Sequence, residues 1–132
     1  MRFAPFACLM LLASAPIAAK PLTVGMGETW VFSIEGGQPV NARKVVGITK
    51  PSPGQMLVTV KPVMGTTMTV SNNSRFDYAY RATLILPGNR TGPAKSCAVP
   101  ANGRAAIEHW QQQVEAVRLS DFQPAPAGSL CP

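Results

Sequence analysis

The sequence predicts a small all-β domain, an antiparallel β-sandwich of about seven strands, delivered by an export signal. Two observations carry the fold class. Gly and Pro account for 11 and 13 of the 132 residues, often enough to favour short strands joined by turns over long helices. Between these breaks, apolar residues recur at every second position, the period of a strand with one buried face.

The N-terminus comes first. Met1-Arg2-Phe3 is followed by an apolar run from Ala4 to Ile17 and by the small residues Ala18 and Ala19 before Lys20. That order is a signal peptide cleaved after Ala19, and the run is too short to span a bilayer. Cys8 lies inside it, preceded by Pro5-Phe6-Ala7 rather than a lipoprotein sequence, and leaves with it. The expected organisation is a signal at 1–19, a sandwich at 20–122 and a Pro-rich tail at 123–132. No transmembrane segment remains after signal removal, and the expected location is periplasmic or secreted.

The strands follow in order. Thr29 to Glu35 alternates with Trp30, Phe32 and Ile34 on one face, and Gly36-Gly37 turns the chain into a weaker strand from Val40 to Ile48. Pro51-Ser52-Pro53-Gly54 is a loop. Met56 to Lys61 puts Met56, Val58 and Val60 together, and the Thr- and Val-rich stretch from Thr66 to Ser71 suits a pleated surface. After an Asn72-Asn73-Ser74 turn, Phe76 to Leu86 gives the strongest alternation, with Phe76, Tyr78, Tyr80, Ala82, Leu84 and Leu86 inward and Asp77 and Arg81 as surface charges. A short strand is expected around Ala94 to Val99.

The stretch from Arg104 to Leu119 is ambiguous. Ile107, Trp110, Val114 and Val117 are spaced three, four and three apart. With good helix formers between them and Asn102 as N-cap, that predicts a helix. The same residues also read as two strands, Ala105 to Trp110 and Val114 to Leu119, around Gln111-Gln112-Gln113. The predicted core is Trp30, Phe32, Ile34, Val58, Val60, Val70, Tyr78, Tyr80, Leu84 and Leu86.

Export makes the cysteines informative. Cys97 and Cys131 are the two left after signal removal, and an oxidising compartment allows them to pair. Their bond would pin a tail that has no apolar pattern to dock it. No Cys-x-x-Cys spacing points to redox or metal chemistry instead.

Net charge is +6 from 12 Lys/Arg against 6 Asp/Glu. The basic residues are scattered and do not interleave with aromatics, so nucleic acid is not an expected partner. His109 is the single histidine. It could join Ser120 and Asp121 in a hydrolase, but no nucleophile-elbow sequence is present, and neighbouring Ser and Asp on a strand point to opposite faces. The carboxylates are dispersed, and Gly25-x-Gly27 lacks the rest of a dinucleotide fingerprint. Met64 and Met68 would share one face of a strand, a soft-donor pair for copper(I) with His109 as a third ligand; core packing is the competing reading. His109 and Trp110 together are a candidate binding surface. Asn72-Asn73-Ser74 and Asn89-Arg90-Thr91 fit glycosylation acceptors, relevant only in a host with that pathway.

Four phrases, Gly27-Glu28-Thr29-Trp30-Val31-Phe32, Gly37-Gln38-Pro39-Val40, Met68-Thr69-Val70-Ser71-Asn72-Asn73 and Arg118-Leu119-Ser120-Asp121-Phe122, resemble small exported proteins of alphaproteobacterial-type Gram-negative bacteria. That family has no assigned chemistry, so no catalytic residue carries over. The resemblance implies a β-sandwich with strands on both sides of the Gln triplet. The stretch from Val70 to Tyr80 is also similar to the strand-turn-strand of bacterial immunoglobulin-like modules, which implies an immunoglobulin-like architecture.

The expected function is a non-enzymatic binding or accessory module of the bacterial envelope, without a cofactor. Its partner would be an envelope protein or cell-surface component. Two alternatives stay open: a periplasmic copper-binding protein using Met64, Met68 and His109, and an enzyme inhibitor or small hydrolase.

Overall fold

The computed structural model describes residues 20–48, 50–126 and 131. The signal read at 1–19 and most of the tail after Pro126 lie outside the described residues. Nine strands are present: β1 (Leu22–Gly25), β2 (Thr29–Glu35), β3 (Gln38–Lys44), β4 (Met56–Lys61), β5 (Thr66–Asn72), β6 (Tyr78–Leu86), β7 (Arg90–Ala94), β8 (Arg104–Trp110) and β9 (Ala116–Pro124). They form two antiparallel sheets, a four-stranded one in the order β1-β9-β6-β7 and a five-stranded one in the order β3-β2-β4-β5-β8. The sheets pack face to face, and the domain is the all-β sandwich the alternation predicts, with nine strands in place of about seven.

The alternating residues fill the space between the layers. Val58, Val60, Met68 and Val70 of the larger sheet meet Leu84, Val117 and Leu119 of the smaller one in a single buried cluster. Every residue of the predicted core belongs to this cluster or packs against it. Phe122 is a central member that the sequence pattern hid: it is 2 % exposed, stacks on Tyr80 with ring centroids 5.3 Å apart and tilts against Phe32 at 5.6 Å. It reaches the core because β9 slips register against β6 between Ala79 and Arg81, with Asp121 at φ 54°. Such a bulge re-aims the following side chain.

Several local expectations are settled or corrected. Residues 104–119 hold no helix; the two-strand reading holds, with β8 before the Gln triplet and β9 after it. All seven residues of β8 pair with β5, from Thr66↔Trp110 to Asn72↔Arg104, and this long-range ladder overrides local helix preference. Asn102 is not an N-cap; it sits at φ 64° in the turn before β8. Phe76 precedes β6 and is exposed, its ring edge-on to Tyr78. Asp77 also precedes the strand and accepts the Ala101 N–H at 2.8 Å. Cys97 lies outside any strand, in a segment that contributes one bridge, Tyr78↔Val99. The seventh strand is the earlier Arg90–Ala94, and β9 continues into Gln123 and Pro124, which the sequence assigns to the tail.

Cys97 and Cys131 are joined by a disulfide, their Cα atoms 4.4 Å apart and 34 residues apart in sequence. The bond ties the C-terminal end of the chain to the segment that leads from β7 to β8.

Candidate functional site

The outer face of the five-stranded sheet is the most distinctive surface. β3 and β4 both run antiparallel to β2, on either side of it, so they are parallel and their link must cross over one face of β2. Of the link, residues 45–48 and 50–55 are described, and they run along the outside. Pro51 is buried there, its carbonyl accepting from Asn73 Nδ2 at 2.9 Å, and Gly54 N–H donates to the Asn73 carbonyl at 2.7 Å. This strap explains why Val31 and Leu57, opposite each other on the outer face, are buried outside the main core.

Beyond the strap the face is open. Thr29, Thr59 and Thr69 lie side by side on β2, β4 and β5, and Thr69 is opposite Ile107 on β8. The hydroxyls of Thr29 and Thr59 share a hydrogen bond of 3.0 Å. Together with Thr67 and Ser71 these residues floor a trough of about 310 Å³ whose walls include Ile48 and Val63. Lys61 is the charged residue lining it. Large apolar side chains stand exposed around this floor: Ile48, Val63, Ile107 (70 % exposed) and, in the β4–β5 turn, Met64 (83 %). Apolar side chains gathered beside one surface mark interaction sites more often than scattered ones do.

The edges of this platform are held by side chains bonded to backbone. Thr66, fully buried, donates to the Gln112 carbonyl at 2.7 Å and accepts the Val114 N–H at 3.3 Å, which fixes the chain as it leaves β8 for the other layer. Gly65 before it has φ 99°, and a Cβ there would sit 2.5 Å from the Trp110 and Gln111 carbonyl oxygens, so no larger residue fits. Glu28, at the β1–β2 turn, accepts from Gly25 N at 2.7 Å, from the Trp30 indole at 3.2 Å and from Lys44 Nζ at 3.0 Å. Lys44 first, then the Gly25 N–H and the Trp30 indole, hold its carboxyl below the ordinary carboxylate range.

The structure separates the residues singled out as ligands or catalysts. Met68 is fully buried and faces the core, while Met64 is in solvent in the turn before β5; the shared strand face required for a soft-donor pair does not exist. The His109 ring bonds to the Met64 backbone carbonyl, not to a sulfur. His109 and Trp110, adjacent on a strand, point to opposite faces: His109 is exposed outside, whereas Trp110 packs on the core with its indole donating to the Lys95 carbonyl at 3.4 Å. Ser120 and Asp121 belong to β9 of the other sheet, and Asp121 faces Arg81 at 3.5 Å and the Gln38 amide at 3.1 Å. Among the described residues no group of three or more His, Cys, Asp or Glu side chains could hold a metal ion. Asn72 is buried with its amide fully bonded, which closes it to glycosylation; Asn89 is exposed in the β6–β7 turn.

Two further features were not visible in the sequence. Where β1 and β3 meet at one side of the sandwich, a cleft of about 810 Å³ opens, lined by Leu22, Pro39, Val40 and Ala42 with Lys20 and Glu35 among its polar residues. On the opposite side Tyr80 holds its hydroxyl without a hydrogen-bond partner among the described residues. Burial, with the Glu108 carboxylate adding to it, pushes that hydroxyl well above the ordinary tyrosine value. Glu108 itself accepts the Cys97 N–H at 2.7 Å.

Comparison of the chain with protein-family models, with curated proteins and with solved structures finds no match.

Proposed function

We propose that this protein is an exported, non-enzymatic binding module of the bacterial envelope and that it engages a protein partner through the outer face of its five-stranded sheet. One observation carries the reading: Ile48, Val63, Met64 and Ile107 stand exposed around a hydroxyl-lined floor that rigid strands support. Apolar contacts flanking positioned polar groups match the anatomy of protein interfaces. The disulfide favours an oxidising compartment, and the signal-like N-terminus agrees with export to the periplasm or beyond. The described residues contain no helix long and apolar enough to cross a membrane.

The test is site-directed photocrosslinking in envelope preparations. A photoreactive residue replacing Val63 or Ile48 should trap one partner of defined mass, and the same probe replacing Arg90, exposed on the other sheet, should not. The purified partner should then bind the wild-type domain and lose affinity for Thr69→Arg, which fills the trough. Equal trapping from both sheets, or binding indifferent to Thr69→Arg, overturns the proposal.

A further inference from the structure

A sandwich has four sheet edges, and unpaired edges invite strand addition from another chain. Three edges here are blunted. β1 has four residues. β3 begins Gln38-Pro39, shifts register against β2 between Val31 and Ser33, and carries Asn41 at φ 52°. β7 contains Gly92 and Pro93 in five residues. Short length, proline and bulges are the devices by which natural edges resist pairing.

β8 has none of them. It is seven residues long, free of Gly and Pro, and pairs with β5 at every position without a register shift. Among the described residues no loop or turn backbone bonds to it from the other side. The neighbouring segment 95–97 reaches it only through side chains, by Cys97 N–H to Glu108 and the Trp110 indole to the Lys95 carbonyl.

The sequence of this edge is self-complementary when read backwards. Arg104-Ala105-Ala106-Ile107-Glu108 places a cation and an anion equidistant from Ala106. We infer that β8 is the docking edge for a second copy of this chain, the two β8 strands pairing antiparallel about a two-fold axis at Ala106. In this register Arg104 lies opposite Glu108 of the partner subunit, twice by symmetry. Ile107 lies opposite Ala105 of the partner subunit, also twice. Opposite charges directly across a strand pair stabilise it and like charges oppose it. Moving the axis to Ile107 sets Arg104 against Trp110 and loses both charge pairs, so the charges specify the register. The Arg104 side chain is 60 % exposed; its Nε donates to the Ala101 carbonyl at 2.9 Å and its Nη2 lies 3.9 Å from Asp77, which leaves Nη1 to face the partner. One Glu108 oxygen accepts the Cys97 N–H, leaving the other. Ile107, exposed in the single copy, gains a cross-strand neighbour. The contact is isologous and closed, which limits assembly to a dimer. The result is one continuous ten-stranded sheet; it shares Ile107 with the face proposed above but does not depend on that reading.

The experiment is sedimentation equilibrium on the oxidised protein from micromolar to sub-millimolar concentration. Wild type should show a monomer–dimer equilibrium. Arg104→Glu and Glu108→Arg should each weaken it by about tenfold or more, because each creates two like-charge pairs. The double variant Arg104→Glu/Glu108→Arg should restore the dimer, and an equimolar mixture of the two single variants should form a heterodimer. Should Glu108→Arg fail to fold, hydrogen exchange on wild type serves instead: protection of the 104–108 amides should rise with concentration while that of β1 does not. A monomer at all concentrations, or a dimer insensitive to both charge reversals with no concentration-dependent protection of β8, overturns the inference.

Discussion

Asn72 offers the sharpest test of how this sandwich is held together. It is the last residue of β5 and has no exposed surface. Its Nδ2 donates to the Phe76 carbonyl at 2.7 Å and to the Val99 carbonyl at 3.2 Å. Its Oδ1 accepts from Ser74 N at 3.0 Å and from Ser74 Oγ at 2.7 Å. All four valences of the amide are used, and they join β5, the crossing to β6 and the segment before β8. In Asn72→Ala the carbonyls are not wholly orphaned, because Val99 keeps the Tyr78 N–H at 3.0 Å and Phe76 keeps Ser74 Oγ at 3.1 Å. The Ser74 N–H loses its acceptor outright, and the amide leaves a void. Unmade buried bonds and a small cavity together predict a loss of about 3–4 kcal/mol. With a urea slope typical of a small domain, that shifts the unfolding midpoint by about 2 M at constant slope. Asn72→Asp keeps the shape but turns a carboxylate oxygen toward two carbonyls. It should be worse than Ala at neutral pH. Its folded pKa is raised, so the deficit is present above that pKa and narrows as pH falls through it. Asn73→Ala, which breaks one bond to Pro51, is the control, with a cost of about 1 kcal/mol. An Asn72→Ala variant within about 1 kcal/mol of wild type would refute the reasoning, since a single lost hydrogen bond would then account for it.

Three further outcomes are expected. Glu28 has a folded pKa below its unfolded value near 4.3, so its contribution is complete above that unfolded value and lost as pH falls through the folded one. The melting-temperature gap between wild type and Glu28→Gln should therefore be widest above about pH 5 and shrink on acidification; a gap constant with pH would count against the Lys44–Glu28–Gly25 clasp. Removing the disulfide by Cys131→Ser should lower stability by at most about 3–4 kcal/mol for a loop of 34 residues. Mass spectrometry of the exported protein should find an N-terminus at or near Lys20 and a mass two hydrogens below the reduced form. An intact N-terminus or two free thiols contradicts the export reading.

The parts legible in the sequence are those where side chains alternate against a single partner layer. β2, β4 and β6 carry apolar residues at every inward position and β5 carries them at Met68 and Val70, between buried Thr66 and Asn72, and these apolar residues form or pack on the core. Legibility failed wherever a distant strand decided the local conformation. β8 shows helical spacing because Trp110 faces the core while Val114, four residues past its end, is buried in the crossing pinned by Thr66; two separate burials mimic one helix face. Phe122 was missed because the bulge at Asp121 breaks the period just before it. The candidate trough was invisible for another reason. Thr29, Thr59 and Thr69 are thirty and ten residues apart, and only the register of three strands makes them neighbours. By contrast, the pairing of Cys97 with Cys131 was readable, since export and elimination left no other pair.

The positions of the clasps bear on where function can sit. Glu28, Thr66 and Asn72 each bond a side chain to backbone at an end of β2 or β5, where the chain leaves or enters the larger sheet. The strap over β2 is tied down separately through Asn73. β2 and β5 are therefore anchored at their ends by bonds to the flanking crossings, and on the outer face the Thr29–Thr59 hydroxyl bond ties β2 to β4. Substitutions on that face need not disturb the fold, and the face need not reorganise to bind. A surface held from behind loses little conformational entropy on association. The β1–β3 cleft is different: the Gln38 side-chain Oε1 is buried without a partner among the described residues, and Nε2 of the same amide already donates to Asp121. A ligand there would have to move Gln38 to use that oxygen, whereas the trough presents its side chains already in place. That difference in preorganisation favours the outer face of the larger sheet as the surface on which this protein acts.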